Sequence, residues 1–281
     1  MDIFEKIIRS VDDFPTLPTI FSALAEVMTD PRSTFSDAAN VISRDQASAM
    51  KVLKVANSAF YGFPGKIDTI SQAIFYIGFE EIKNIIITIS IWDIFKSSSS
   101  SSGFNIVDLW KHSIGVGVAS RTIAKTIKAE NVESCFIAGI IHDIGKLLFI
   151  RYLGNEYIKV IDFACENNLN IRDAESDMLG ITHTIVGELI GEKWKMPLNI
   201  KNAIRYHYSG MVNGKVHDLS AIVHIANIVV RMMQLGNPGD YIIPEPYPEV
   251  LEYLKIPHNC FSLIVPEIDL FYQESLVLFS L

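Results

Sequence analysis

The run from Ala138 to Phe149 reads Ala-Gly-Ile-Ile-His-Asp-Ile-Gly-Lys-Leu-Leu-Phe and constrains this chain more than any other segment. A stretch that is apolar on every side belongs inside a fold. It nevertheless carries His142, Asp143 and Lys146. An ionised carboxylate is very costly to bury alone, so Asp143 must be paired, hydrogen-bonded or bound to a metal. An imidazole beside a carboxylate offers one nitrogen and one oxygen donor, a set suited to a borderline or hard divalent cation.

The rest of the chain decides what kind of body surrounds this run. Its 281 residues can bury a sizeable core, and 49% hydrophobic with 20% charged residues is a globular profile. A net charge of −8 without a Lys/Arg cluster gives no strong nucleic-acid signal. Cys135, Cys165 and Cys260 are far apart and odd in number, so reduced, buried thiols in a cytoplasmic protein are expected. The start, Met1-Asp2-Ile3-Phe4-Glu5-Lys6, has no signal-peptide pattern, and Ile85 to Phe95 is too short to cross a bilayer, so no membrane is expected.

Spacing of apolar residues predicts helices throughout. They are expected over Thr19–Met28, from a Ser36 cap to Ile42, over Ala47–Ala59, and from Ser71 to a stop at Gly78. The isoleucine run Ile85–Ile89 is also read as helix, against its strong β propensity. Later helices are expected over Asn105–Thr126, Glu133–Tyr152, Tyr157–Asn167, Thr184–Lys195, Leu198–Tyr208 and Leu219–Met233. No βαβ alternation is present, so the fold class is all-α. The serine run Ser97–Ser102, closed by Gly103, reads as a flexible connection. It implies an N-terminal helical lobe over 1–96 and a second helical lobe with a C-terminal extension over 104–281. An extended loop within one body is the alternative.

His112, His142, Asp143, His183 and His207 fall on four of these helices, the arrangement of a metal site built inside a bundle. Each histidine alone is more often a hydrogen-bonded core residue than a ligand. Together with a dyad that needs a partner, they form a candidate site. Together, His112, the segment His142-Asp143-Ile144-Gly145-Lys146, His183 and His207 resemble the motif series of the HD superfamily of metal-dependent phosphohydrolases. The N-terminal part narrows the resemblance. Phe14-Pro15-Thr16-Leu17-Pro18, Leu53-Lys54-Val55-Ala56-Asn57-Ser58-Ala59-Phe60-Tyr61-Gly62 and Ile70-Ser71-Gln72-Ala73-Ile74-Phe75-Tyr76-Ile77-Gly78 resemble the HDOD (HD-related output domain) family, over about Phe14 to His224.

The resemblance implies an all-α, HD-like bundle and a bacterial signal-transduction module, with other signalling proteins as partners and usually without catalysis. It also implies a divalent metal (Fe, Mn, Zn, Ni or Mg) held by His112, His142, Asp143, His183, His207 and Asn227. HD enzymes place a last Asp where this chain offers Asn227, a neutral and weaker oxygen donor. With Asp143 as the one carboxylate, two divalent ions would be poorly neutralised, so one ion or none is expected. The alternative is a metal-dependent phosphohydrolase or cyclic-nucleotide phosphodiesterase, in which Asp143 and Lys146 would be the catalytic groups. Lys146 would then contact phosphate; otherwise it snorkels to solvent from a helix end. His224 shares a helix face with Asn227 and reads as a core or surface residue, His217 as a helix-start residue and His258 as a loop residue.

Overall fold

The computed structural model describes residues 3–17, 20, 23–24, 26–27, 32–58, 61–97, 104–256 and 260–278. The expected helix over 19–28 lies partly outside them. Pro18, most of the serine run and His258 lie wholly outside.

Among the described residues the fold is all-α apart from one hairpin with two-residue strands, and the chain divides into two compact units. One takes residues 16–94 and 270–281; the other takes 1–15 and 95–269. The junction at Ile94 and Phe95 lies next to the expected boundary. Residues 1–15, however, group with the later unit.

In the 16–94 unit, α2 (Phe35–Ser43), α3 (Gln46–Ala56), α4 (Ile70–Ile77) and the part of α5 (Phe79–Ser97) up to Ile94 surround a core that includes Ile42, Val52, Ala73, Ile74, Ile82 and Ile86. Helix α2 starts two residues earlier than a Ser36 cap implies. Thr34 caps it in a reciprocal box with Asp37, which satisfies two amides that would otherwise lack acceptors. The Ile85–Ile89 run is helical because burial on nearly every side overrides β propensity. Asn57 explains its place in the Ala-Asn-Ser segment. Its Nδ2 donates to the carbonyls of Leu53 and Ile67, and its Oδ1 accepts the Ile67 amide at 2.8 Å, which ties the end of α3 to the following loop.

In the other unit, α6 (Ile106–Thr126) packs along α7 (Val132–Ile141) and against α13 (Asp218–Met232). Helix α8 (Ile144–Leu153) packs on α11 (His183–Lys193), which pairs with α12 (Leu198–Tyr206). Helices α9 (Asn155–Glu166) and α10 (Ile171–Leu179) lie between α8 and α11 in the chain; the hairpin β1 (Met211–Val212) and β2 (Lys215–Val216) precedes α13, α14 (Pro248–Leu254) follows, and α15 (Cys260–Leu278) belongs to this unit up to Asp269. The first helix, α1 (Ile3–Asp13), packs on α8 and α11. Its exit is held by Lys193, whose Nζ donates to the carbonyls of Val11, Asp12 and Phe14, and by Trp194 Nε1 on Pro15. This is why residues 1–15 join a unit made mostly of later sequence.

Glycines set two of these approaches. A Cβ on Gly139 would lie 2.6 Å from the Val116 carbonyl oxygen, so α6 and α7 meet backbone to backbone there. A Cβ on Gly145 would lie 2.0 Å from the His183 carbonyl oxygen, which brings α8 equally close to α11.

Three expectations need correction. Glu133–Tyr152 is two helices, not one, and the break falls on His142 and Asp143. Lys146 does not reach solvent: it is 1% exposed, because Asp143 and a carbonyl satisfy its charge inside. Cys165 is exposed, on the outer side of α9, whereas Cys135 and Cys260 are buried. Among the described residues, no helix is long and apolar enough to cross a membrane.

Candidate metal centre

The break between α7 and α8 builds the centre of the site. His142 closes α7 with its Nδ1 2.7 Å from the Gly139 carbonyl, which points Nε2 the other way. Asp143 then opens α8 and stands 2% exposed among four imidazoles. His112 comes from the middle of α6, His183 is the first residue of α11, and His207 follows the last turn of α12. His207 Nδ1 faces the Ile204 carbonyl at 2.9 Å, repeating the His142 arrangement.

All four histidines are fully buried. Their Nε2 atoms surround the Asp143 carboxylate: His142 and His112 lie 3.3 and 3.9 Å from Oδ2, and His183 and His207 lie 3.2 and 3.6 Å from Oδ1. Two groups of three ligand atoms result, His112–His142–Asp143 and Asp143–His183–His207, sharing the carboxylate. The structure thus brings together five of the six residues expected to hold a metal. The sixth, Asn227, is buried on α13, where its Oδ1 accepts a hydrogen bond from Arg231 Nε at 3.2 Å.

Burial drives the electrostatics. It pushes His112 and His207 well below the usual imidazole range, and the facing His142 adds to this. Burial works to raise the Asp143 carboxyl, yet the charges of His142 and Lys146 hold it well below the usual carboxylate range. Burial works to lower His183 too, but the charge of Glu175 and the contacts with Asp143 and Glu175 raise it. Neutral His112 and His207 beside an ionised Asp143 are in the protonation states that ligate metals.

Whether these residues suit a divalent cation can be judged from their unmet valences. The Nε2 atoms of His112, His142, His183 and His207 and Oδ1 of Asp143 lack a hydrogen-bond partner of proper geometry among the described residues, although all are buried. Buried polar atoms are nearly always partnered. Two sets of three convergent donors that share the Asp143 carboxylate, His112–His142–Asp143 and Asp143–His183–His207, fit a divalent cation. Four nitrogens to one carboxylate favour a first-row transition ion over magnesium.

Of the groups around the cluster, Lys146 was read from the sequence and the others were not. Lys146 Nζ donates to Asp143 Oδ2 and to the Pro238 carbonyl, both at 2.8 Å. Arg231 is held by both oxygens of Asp240, by the Ile242 carbonyl and by Asn227. A cavity of about 380 Å³ has His112, Arg231, Asn237, Pro238, Asp240 and Tyr241 in its wall. Glu175 on α10 is fully buried and accepts the backbone amide of His183 at 2.7 Å, with its ring Nδ1 at 2.6 Å and Tyr157 Oη, also at 2.6 Å. The signal for Glu175 was its register. It shares the buried face of α10 with Ile171, Ala174 and Leu179. Of the other histidines, His224 is a core residue bonded to the His207 carbonyl, and His217 caps α13 through the Ser220 amide.

Known proteins carry the same architecture. An HDOD domain protein of Geobacter sulfurreducens is 26% identical, matches 99% of this chain and 98% of its own, and superposes with a TM-score of 0.80. A protein of Marinobacter aquaeolei VT8, named as a candidate signal-transduction protein, shares the fold at TM-score 0.76 with 17% identity, over 99% of this chain and 65% of its own. An uncharacterized protein of Treponema pallidum (strain Nichols) is 23% identical over 234 residues, 83% of this chain. That match spans only 45% of the Treponema protein, so the chain covers about half of its relative's length. The HDOD domain itself matches residues 14–210, a span that holds the Phe14-Pro15 exit of α1, the Asn57 tie and all five clustered groups, His112, His142, Asp143, His183 and His207. On that extent of agreement, the chain belongs to the HDOD domain family.

Proposed function

We propose that this chain is a bacterial, cytoplasmic signal-transduction module that acts through protein partners. Its 95–269 unit keeps one divalent-metal centre and does not turn over substrate. The observation that carries the non-catalytic part is the state of the two cations beside the cluster. Hydrolysis of a phosphoester needs free positive groups to take up the charge that develops on phosphate oxygens. Lys146 is already engaged by Asp143 and the Pro238 carbonyl, and Arg231 by Asp240, Ile242 and Asn227. The absence of an acidic residue at 227 points the same way, since it leaves Asp143 as the one carboxylate among the expected ligands. The signalling role is supported by membership of the family and by the name of the Marinobacter protein.

In this reading His142, Asp143, His183 and His207 hold the ion, with His112 facing Asp143 from α6. When bound, such an ion supplies Lewis acidity and can acidify a water molecule. The protein's own part is to orient the imidazoles, to keep His112 and His207 neutral, and to exclude bulk water. A phosphohydrolase remains the second reading, favoured by the retention of all five clustered groups and by the cavity walled by His112.

The test is metal analysis of protein purified without chelator, followed by hydrolysis assays with bis-p-nitrophenyl phosphate and cyclic dinucleotides. We expect about one first-row ion per chain and no turnover. Turnover that is lost in Asp143→Ala would establish the enzyme instead, and a metal-free preparation that takes up no added zinc, iron, manganese or nickel would remove the metal centre.

A further inference from the structure

The histidines of the cluster differ in what holds the nitrogen facing away from it. For His142 and His207 the Nδ1 partner is a backbone carbonyl. For His112, neither ring nitrogen has a hydrogen-bond partner among the described residues. For His183 the partner is a buried side-chain carboxylate, Glu175, on a separate helix.

We infer that Glu175 is a positioning residue of the metal centre: its carboxylate fixes His183 with the proton on Nδ1 and the Nε2 lone pair turned to the cluster. This rests on the metal reading above. Glu175 Oε2 already accepts the His183 backbone amide, and Oε1 already accepts Tyr157 Oη, both of which act here as donors. A carboxylate receiving donors at both oxygens serves as an acceptor, so His183 Nδ1 must donate. A single residue therefore caps the start of α11 and orients its first side chain.

A carboxylate in this place does more than a carbonyl. Partners of this kind raise the basicity of a ligating imidazole, and their loss typically weakens metal binding 10–100-fold. The charge also addresses the deficit left by Asn227. Glu175 contributes a second negative charge one imidazole away from the ligand atoms, where Asp143 is otherwise the one carboxylate of the cluster.

The variant to make is Glu175→Gln in the full chain, because the amide oxygen can still accept from the His183 backbone. Zinc affinity would be measured by competition with a chromogenic chelator, alongside the melting temperature of metal-free protein. We expect affinity to fall about 10–100-fold with little change in metal-free melting. In a His183→Ala background, Glu175→Gln should change zinc affinity less than about twofold, because its effect runs through that ring. An equal loss in both backgrounds would mark a general structural role and overturn the inference, as would unchanged affinity in Glu175→Gln. Nitrogen-15 NMR of the metal-free wild type, at a pH where the ring is neutral, gives a second readout that needs neither folding of the variant nor metal. A proton on Nδ1 of His183 supports the role of Glu175, and a proton on Nε2 overturns it. Wild-type protein that binds no zinc would instead remove the metal reading, while the NMR result still decides how Glu175 acts on His183.

Discussion

Replacing Gly145 by alanine should separate α8 from α11 and weaken fold and site together. The added Cβ would stand 2.0 Å from the His183 carbonyl oxygen, 2.8 Å from its carbon and 2.9 Å from the Gly187 amide nitrogen. Real Cβ contacts essentially never fall below 3.0 Å, so the backbones must part by at least 1 Å at this point. No flexible side chain can take up the change, since all three atoms are backbone. Overpacking a core costs about 1–3 kcal/mol, occasionally more, and a backbone clash places this variant at the upper end, about 3 kcal/mol. At a urea slope of about 3 kcal/mol/M, the midpoint of this unit should move down by about 1 M. Transitions are best followed by tryptophan fluorescence of the 95–269 unit, because two units need not unfold together. Ligand distances tolerate only about 0.2 Å, so the same displacement of His183 should reduce zinc affinity at least tenfold. Gly65→Ala is the control: a Cβ there meets nothing within 4 Å, and stability should stay within about 0.5 kcal/mol. A Gly145→Ala protein with wild-type midpoint and wild-type zinc affinity would refute the argument that this glycine exists to let the two helices touch.

Three further outcomes are expected. Burial and the neighbouring Glu133 push the Cys135 thiol up to about 12, so in native protein at pH 8.5 iodoacetamide should label exposed Cys165 and spare Cys135; mass spectrometry showing Cys135 labelled first would contradict the burial. Burial lowers the His217 imidazole below its ordinary value, and its neutral Nδ1 caps α13; that contribution is present above about pH 6.5 and is lost as pH falls below it. The stability difference between wild type and His217→Ala should therefore shrink from about 1 kcal/mol at pH 7.5 towards zero by about pH 5, and a difference that grows on acidification would reverse the sign. Asn57→Ala should lower the stability of the 16–94 unit by about 2–3 kcal/mol, because it leaves the Ile67 amide and carbonyl without their partner; hydrogen exchange at Ile67 unchanged from wild type would count against it.

The buried cluster of histidines around Asp143 was legible in the sequence because chemistry outweighs geometry there. Asp143 inside an apolar run demands partners whatever the fold, and histidines at motif spacing were the candidates for that need. What escaped was how the backbone delivers them. Pattern alone runs a helix from Glu133 to Tyr152, since nothing in Ile-Ile-His-Asp-Ile-Gly is a helix breaker; the break follows from Gly145 being drawn against α11 and from His142 bonding back to Gly139. The inward placement of Lys146 was not legible, because lysine near a helix end ordinarily reaches water and only the tertiary fold reveals Asp143 and the Pro238 carbonyl around it. Glu175 and Arg231 escaped for a related reason. Each is a buried charged residue with a charged or ring partner beyond its own helix, His183 for Glu175 and Asp240 for Arg231, and spacing along that helix carries no information about that partner.

The tie between Lys193 and the exit of α1 has a temporal side. Phe14 and Lys193 are 179 positions apart, so at about 5–20 residues per second a ribosome takes roughly 10–40 s to deliver the second after the first. Over that interval α1 has been made but its seat on α11 has not, and its apolar face, with Ile7 and Val11, must wait unburied. Most of the 16–94 unit is synthesised within the same interval from residues close together in the chain and can close as it emerges. Nascent chains stalled before His183 should thus hold the 16–94 part of one unit, still without its 270–281 segment, and an α1 whose apolar face has no α11 to cover it.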